Sequence, residues 1–506
     1  MSSTATSSTI ETNPVRRTQA GQVRGTSAGG VCRFLAIPYA APPVGENRFR
    51  EPQPVLPWDG ERDASRPGPC APHKIATLKW LDVVSLVGDG GERGDDYLTL
   101  NLWAPEAAGP GAKRPVMVFI HGGGFVIGSK DAPVHNGTGF ARSGLVCVAI
   151  NYRLGIEGFL PIPGAPTNLG LRDMLCALRW VQDNVEAFGG DPANVTVFGE
   201  SAGAMAIADL VTSPLATGLF RRAIVQSGHG SMVRPIPIAR RLVDKLARNL
   251  KVSPDVDGFR RTGFEEGWRA MERVSKPLAR LDLRDTAGHE PVFGISRFVP
   301  VYGDDVLPLH PLAALAAGAG RDIELLIGTN AAEMNLYFVP SRIRSRIPGF
   351  LARWLLGKSN PNARAALKAY GLGARGKKPG EAMTEAMTDL VFRWPARQYA
   401  SLHQGRTHLY EFDWHSPACD GELGACHAME MPFVFDTLAT ATGEQGLAGT
   451  APPQALADRI HRLWVGFASD GSLPWDPFSD THRRVHRLAA GETIEEPVMP
   501  AAAFLP

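Results

Sequence analysis

Val195-Thr196-Val197-Phe198 runs directly into Gly199-Glu200-Ser201-Ala202-Gly203. The first four residues are apolar or β-branched and read as a buried strand, and the small, apolar stretch from Ala202 to Val211 reads as a helix that packs closely on a sheet. Between them the G-x-S-x-G turn must reverse the chain sharply, which lifts the Ser201 hydroxyl above the sheet and aims the helix N-terminus at whatever reacts there. The same pattern recurs at Gly25-Thr26-Ser27-Ala28-Gly29. Its flanks, "TQAGQVR" and "GGVCRF", are hairpin material around a Gly-rich turn. Context therefore gives the strand, sharp turn and helix to Ser201 and leaves Ser27 in a turn.

Working outward, short apolar runs alternate with helical patterns, the signature of a mainly parallel sheet covered by helices on both faces. Val116 to Ile120 and Val146 to Ile150 are continuous in apolar residues, as strands buried on both sides require. Leu171, Leu175, Leu178, Val181 and Val185 recur at helical spacing, and "GGDP" at 189–192 is turn material that stops the pattern. Later strands are expected at 223–226, 324–327 and 409–412. The segments at about 232–320 and 338–405 are rich in Arg, Ala and Leu, and are expected to be helical insertions capping one end of the sheet. With no repeat and no Gly/Ser linker, residues 1–506 are expected to form one domain, with about 1–15 a flexible start.

Composition narrows the function class. The 506 residues are 44% apolar, and 53 basic against 51 acidic side chains leave a net charge of +2. The charges are scattered singly or in short clusters, which gives no nucleic-acid footprint. The N-terminal "MSSTATSSTIETNPVRR" has no secretory apolar run, and no stretch is long enough to span a membrane. Six cysteines (32, 70, 147, 176, 419 and 426) show no zinc-type spacing, and Cys147 sits in an apolar run as a reduced thiol would. A cytoplasmic protein without metal or organic cofactor, a monomer or small homo-oligomer, is expected.

A serine nucleophile needs a base, an acid to orient the base, and donors for the developing oxyanion. "FIHGGGF" at 119–125 follows directly on the strand at 116–120, and its three glycines leave backbone N–H groups unshielded. Such a run is costly in entropy unless the backbone must take a special shape.

Four segments, "FGGDPANVTVFGESAGA" (188–204), "NYRLG" (151–155), "HGGGF" (121–125) and "HAMEMPFVF" (427–435), resemble the type-B carboxylesterases, the cholinesterase and para-nitrobenzyl esterase family. Similar segments run from "GQVRG" near residue 21 to about residue 480. The resemblance implies an α/β-hydrolase fold with a mixed, mainly parallel central sheet, and a small-molecule ester as substrate. It implies Ser201 as nucleophile, His427 as general base, and Gly123, Gly124 and Ala202 as oxyanion donors.

The acid falls on Glu333, although the family pattern ends in Glu-Gly and Met334 stands here in place of that glycine. Asp304, Asp305 and Asp413 remain rivals. Ser227, in "QSG", matches a position that supports the acid, or else caps a turn. Glu200 matches the family too, but an acid at a helix N-terminus is favourable by itself, by ~0.3–1 kcal/mol, and it is not counted as catalytic. Cys70 resembles the first half of a disulfide of secreted members whose partner position is Tyr97 here. Trp80, Trp268, Phe338, Trp354 and Trp394 could line a pocket or pack the cap.

Overall fold

The computed structural model describes residues 13–75, 80–91, 94–290 and 295–505. Most of the expected flexible start at 1–15 lies outside them. An eleven-stranded sheet crosses the molecule. In chain order its strands are β1 (Thr26–Ala28), β2 (Val31–Pro38), β3 (Thr99–Pro105), β4 (Arg114–Ile120), β5 (Val146–Ile150), β6 (Gly190–Glu200), β7 (Arg222–Gln226), β8 (Glu324–Asn330), β9 (Thr407–Phe412), β10 (Arg484–Arg487) and β11 (Glu492–Glu495). They lie side by side in the order 1-2-3-5-4-6-7-8-9-10-11. From β5 through β10 every pair is parallel, and both ends close with antiparallel strands. This is the mixed, mainly parallel sheet of the α/β-hydrolase fold.

Alternation along the strands sorts the core onto two faces. Val116, Val118, Ile120, Val195 and Val197 join one cluster with α1 (Leu169–Asn184) and α2 (Ala202–Thr212). Met117, Phe119, Cys147 and Phe198 face a second cluster built with α9 (Gln454–Asp470). Because both faces are covered, the central strands read as unbroken apolar runs.

The inserted segments carry α3 (Ile236–Leu250), α4 (Phe264–Ser275), α5 (Gly349–Leu356), α6 (Ala363–Ala369), α7 (Pro379–Thr388) and α8 (Trp394–Leu402). A π-helical turn, Asp389–Arg393, joins α7 to α8. Between 276 and 310 the described residues form no helix.

The sequence "GGDP" does not end in a loop. Gly189 takes a left-handed φ of 84° after the turn Val185–Phe188, and β6 then starts at Gly190, paired with Arg114 of β4. Ser27 lies in β1, hairpin-paired to β2, where its hydroxyl donates to Glu106 at 2.9 Å.

Candidate active site

β6 ends at Glu200 and α2 begins at Ala202, so Ser201 makes the whole turn, with φ 55° and ψ −123°. A left-handed φ at a non-glycine residue costs on the order of 1–3 kcal/mol and persists only where the surroundings fix it. Here the Ser201 N–H donates to the Gln226 carbonyl at the end of β7 (2.9 Å), and its own carbonyl accepts from Met205 (2.8 Å). The turn is tight because a neighbouring chain crosses it: a Cβ on Gly203 would lie 2.0 Å from the Ile120 carbonyl oxygen.

That neighbour is the end of β4, which leads into His121-Gly122-Gly123-Gly124. A Cβ on Gly122 would stand 3.1 Å from the Ser201 Cβ, so this loop lies against the serine. Gly123 has φ 104°, and a Cβ there would be 2.2 Å from the Ile127 carbonyl oxygen. Only glycine fits at that point.

His427 lies in the loop before the short helix Met431–Val434, 3% exposed. Its backbone N–H donates to the Glu333 carbonyl (3.2 Å), and its Nδ1 lies 2.6 Å from Glu333 Oε2. Glu333 is fully buried just beyond β8. Its other oxygen accepts from the Ser227 hydroxyl (2.6 Å) and the Asn330 N–H (2.7 Å). The Ser227 hydroxyl is thus bonded to the carboxylate. Met334 causes no strain where the family pattern has glycine, because its φ is −72°, and its N–H donates to the Thr388 hydroxyl (3.1 Å).

The rival carboxylates are engaged elsewhere. Asp304 accepts from Asn168 (2.8 Å) and the Thr167 hydroxyl, Asp305 pairs with Arg172, and Asp413 pairs with Arg487 (3.1 Å).

Three neighbours of the histidine were not singled out from sequence as part of the site. Glu200 Oε1 lies 3.1 Å from His427 Nε2, off the hydrogen-bonding direction, so neither atom has a hydrogen-bond partner and Nε2 does not engage Ser201. The Phe392 ring, carried by the π-helical turn, packs 4.7 Å from the imidazole centroid to centroid. Behind the site a buried Glu430 accepts from Gln226 (3.0 Å) and Asn330 (2.6 Å). The only local sign of Glu430 was a charged residue within the apolar "HAMEMPFVF".

Electrostatically the imidazole is held between carboxylates. Burial alone would lower its pKa, but Glu200 and Glu333 outweigh burial and raise it to about 9. Burial pushes the Glu200 carboxyl up to about 8, against the opposing pull of His427. His121 is the reverse case: burial depresses it to about 3, and its neutral ring stacks on Tyr152.

Gly122, Gly123, Gly124, Glu200, Ser201 and His427 all line one cavity of about 370 Å³. The remaining wall is mostly apolar, with Val83, Leu86, Ile127, Leu336 and Met431 among its residues. An uncharged carbonyl compound that enters it meets a hydroxyl, an imidazole and the Gly-rich loop together. Of the cap aromatics considered from sequence, Trp394 lies instead beneath the Arg483 guanidinium and Trp80 beneath Arg342. Among the described residues no helix is long and apolar enough to cross a membrane.

Comparison with known proteins agrees with this fold and geometry. Residues 12–498 match the profile described as the Carboxylesterase family. The para-nitrobenzyl esterase of Bacillus subtilis is 36% identical over 501 residues, covering 96% of each chain. The phenmedipham hydrolase of Pseudarthrobacter oxydans is 34% identical over 478 residues, 93% of this chain and 92% of that one. A solved PNB esterase superposes with a TM-score of 0.83 at 31% identity, over 98% of this chain and 100% of its own. For a carboxylesterase of Geobacillus stearothermophilus the TM-score is 0.79 at 32% identity, over 97% and 99%. The chain belongs to the carboxylesterase family and is a carboxylic ester hydrolase of the α/β-hydrolase fold.

Proposed function

We propose that the chain cleaves small-molecule carboxylic esters through an acyl-enzyme on Ser201, with His427 as general base and Glu333 as its orienting acid. The observation that carries this reading is the 2.6 Å pairing of Glu333 with His427 Nδ1, which leaves Nε2 unpartnered in the cavity that Ser201 also lines. Glu333 fixes the tautomer with the proton on Nδ1, so the neutral imidazole presents a lone pair at Nε2.

In the reaction Nε2 takes the Ser201 proton as Oγ attacks the ester carbonyl. The N–H groups of Gly123, Gly124 and Ala202 bind the oxyanion, each worth about 3 kcal/mol. Collapse of the tetrahedral adduct expels the alcohol, which takes the proton from the imidazolium. Water then attacks the acyl group by the same steps, restoring Ser201 and releasing the acid. Nε2 does not hydrogen-bond Ser201, so that bond forms by a side-chain adjustment of Ser201 or His427 as substrate binds. Such hydrogen bonds commonly tighten only once substrate is bound. Six free thiols support a reducing, cytoplasmic location.

Ser201→Ala is expected to abolish turnover of p-nitrophenyl acetate and labelling by a fluorophosphonate while the protein remains folded. Residual turnover above a trace, in a variant that still melts cooperatively, would remove Ser201 from the reaction.

A further inference from the structure

A second cavity, of about 280 Å³, meets the first across Val126, which lines both. Val126 closes the turn begun by the Gly-rich loop, its N–H donating to the Gly123 carbonyl at 3.1 Å. Val126 thus stands between the chamber and the oxyanion loop.

The wall of this chamber is built from one stripe of α4. Phe264, Gly267, Trp268 and Met271 line it, at the three- and four-residue spacing that puts side chains on a single helix face. Leu154, Ile156 and the buried ring of Tyr97 also line it, Tyr97 at the position where the resemblance puts a disulfide cysteine in secreted relatives.

The cation at the chamber is committed. Arg48 pairs with Glu157 at 2.6 Å, and its remaining terminal nitrogen donates to the carbonyls of Arg260 and Thr262, both at 2.9 Å. Arg48 is thus tied into the wall and Asp95 faces the chamber as an acid, so among the described lining residues a carboxylate finds no free cation to replace its lost hydration.

Gly267 sharpens the point. Glycine in a helix interior lowers helix stability, and neither a left-handed φ nor crowding calls for it here. A Cβ would meet only Ile156 Cδ1 at 3.5 Å and Thr262 Cγ2 at 3.9 Å, both chamber-lining residues. The missing side chain is chamber volume.

We propose that this chamber binds the uncharged, apolar distal end of an extended ester whose carbonyl sits at Ser201. The proposal rests on the ester-hydrolase reading above, and it makes α4 a determinant of which esters are used. Apolar clefts with few polar groups recognise such ligands by burial, and truncating or blocking the pocket removes that contribution from the transition state as well.

The test compares p-nitrophenyl decanoate and decyl acetate, which extend the acyl and alcohol sides respectively, with p-nitrophenyl acetate. Gly267→Leu fills the chamber from a helical position. In at least one of the two arms it is expected to lower kcat/KM for the long ester relative to the acetate by about tenfold or more, mainly through KM. Trp268→Ala removes wall instead of adding volume, and should raise KM for the same long ester. Long-to-short ratios within about twofold of the native chain in both arms, in both variants, overturn the chamber. A native chain that turns over none of these esters and resists fluorophosphonate overturns the ester-hydrolase reading itself, and the chamber's role with it.

Discussion

At the scale of the residue, the contact with most consequence is the 3.1 Å approach of Glu200 to His427 Nε2. A general base works only when unprotonated, and Glu200 and Glu333 together raise the imidazole to about 9 against the lowering effect of burial. kcat/KM for p-nitrophenyl acetate should therefore rise with pH through a midpoint well above the ordinary histidine value of about 6.5. Glu200→Gln removes one of the two charges that hold the proton, and should move that midpoint down by about one unit or more. A pH–rate profile on both chains measures it, and superimposable midpoints would take Glu200 out of the titration. The sequence disclosed Ser201 through its own neighbours, because strand, turn and helix are contiguous. His427 and Glu333 meet across 94 intervening steps of chain, so no local pattern could join them, and they were legible only as matches to family segments. Glu200 carries no such signal, because an acid beside a helix start already has a favourable environment, which masks a second role.

At the scale of the element, the site is positioned by the ends of β4, β6, β7 and β8, whose carboxyl ends all point to one edge of the sheet. In open α/β sheets this is where ligands bind. The central strands were readable because burial on both faces demands unbroken apolar runs. β10 and β11, Arg484–Arg487 and Glu492–Glu495, were not, since a short, half-exposed edge hairpin can be made of charged residues. The π-helical turn that carries Phe392 to His427 has no sequence signature of its own, because one residue too many in a helix reads like any other helix. A different tie holds the "NYRLG" loop to α1. Arg153 donates from Nε (2.8 Å) and a terminal nitrogen (2.6 Å) to Asp173, and also reaches the Arg50 carbonyl at 2.6 Å. Both side chains are almost fully buried. Removing one partner strands the other charge in the interior, so Asp173→Ala should cost about 3–5 kcal/mol in urea denaturation. A loss below about 1 kcal/mol would mean that water reaches Arg153 and the tie is not structural.

At the scale of the whole molecule, two sets of buried titratable groups oppose each other and set where the fold is most stable. Burial depresses His121 to about 3, and His135 and His229 to about 4. Unfolded histidines bind protons below about 6.5, so the stability these three contribute is present above that value and is lost as pH falls toward 4. Burial acts the other way on an acid: Asp209, whose two carboxylate oxygens have no hydrogen-bond partner, is raised well above its ordinary range. This carboxyl keeps a proton that the unfolded chain releases above about 4, so its contribution is full below that value and declines as pH rises above it. His427, raised to about 9, adds to the same alkaline loss above about 6.5. Each unmatched proton is a slope of about 1.4 kcal/mol per pH unit. Below about pH 6.5 the depressed histidines, His408 among them, make stability rise with pH, whereas the protons retained by Asp209 and, above about pH 6.5, by His427 make it fall. Asp209→Asn keeps the shape and removes one proton from the alkaline side, so its stability curve should approach the native one toward about pH 4 and stand increasingly above it by about pH 8. Thermal melts of both chains across that range decide the matter: parallel curves would mean that Asp209 is ionised in the folded protein, with a partner or water that offsets its burial.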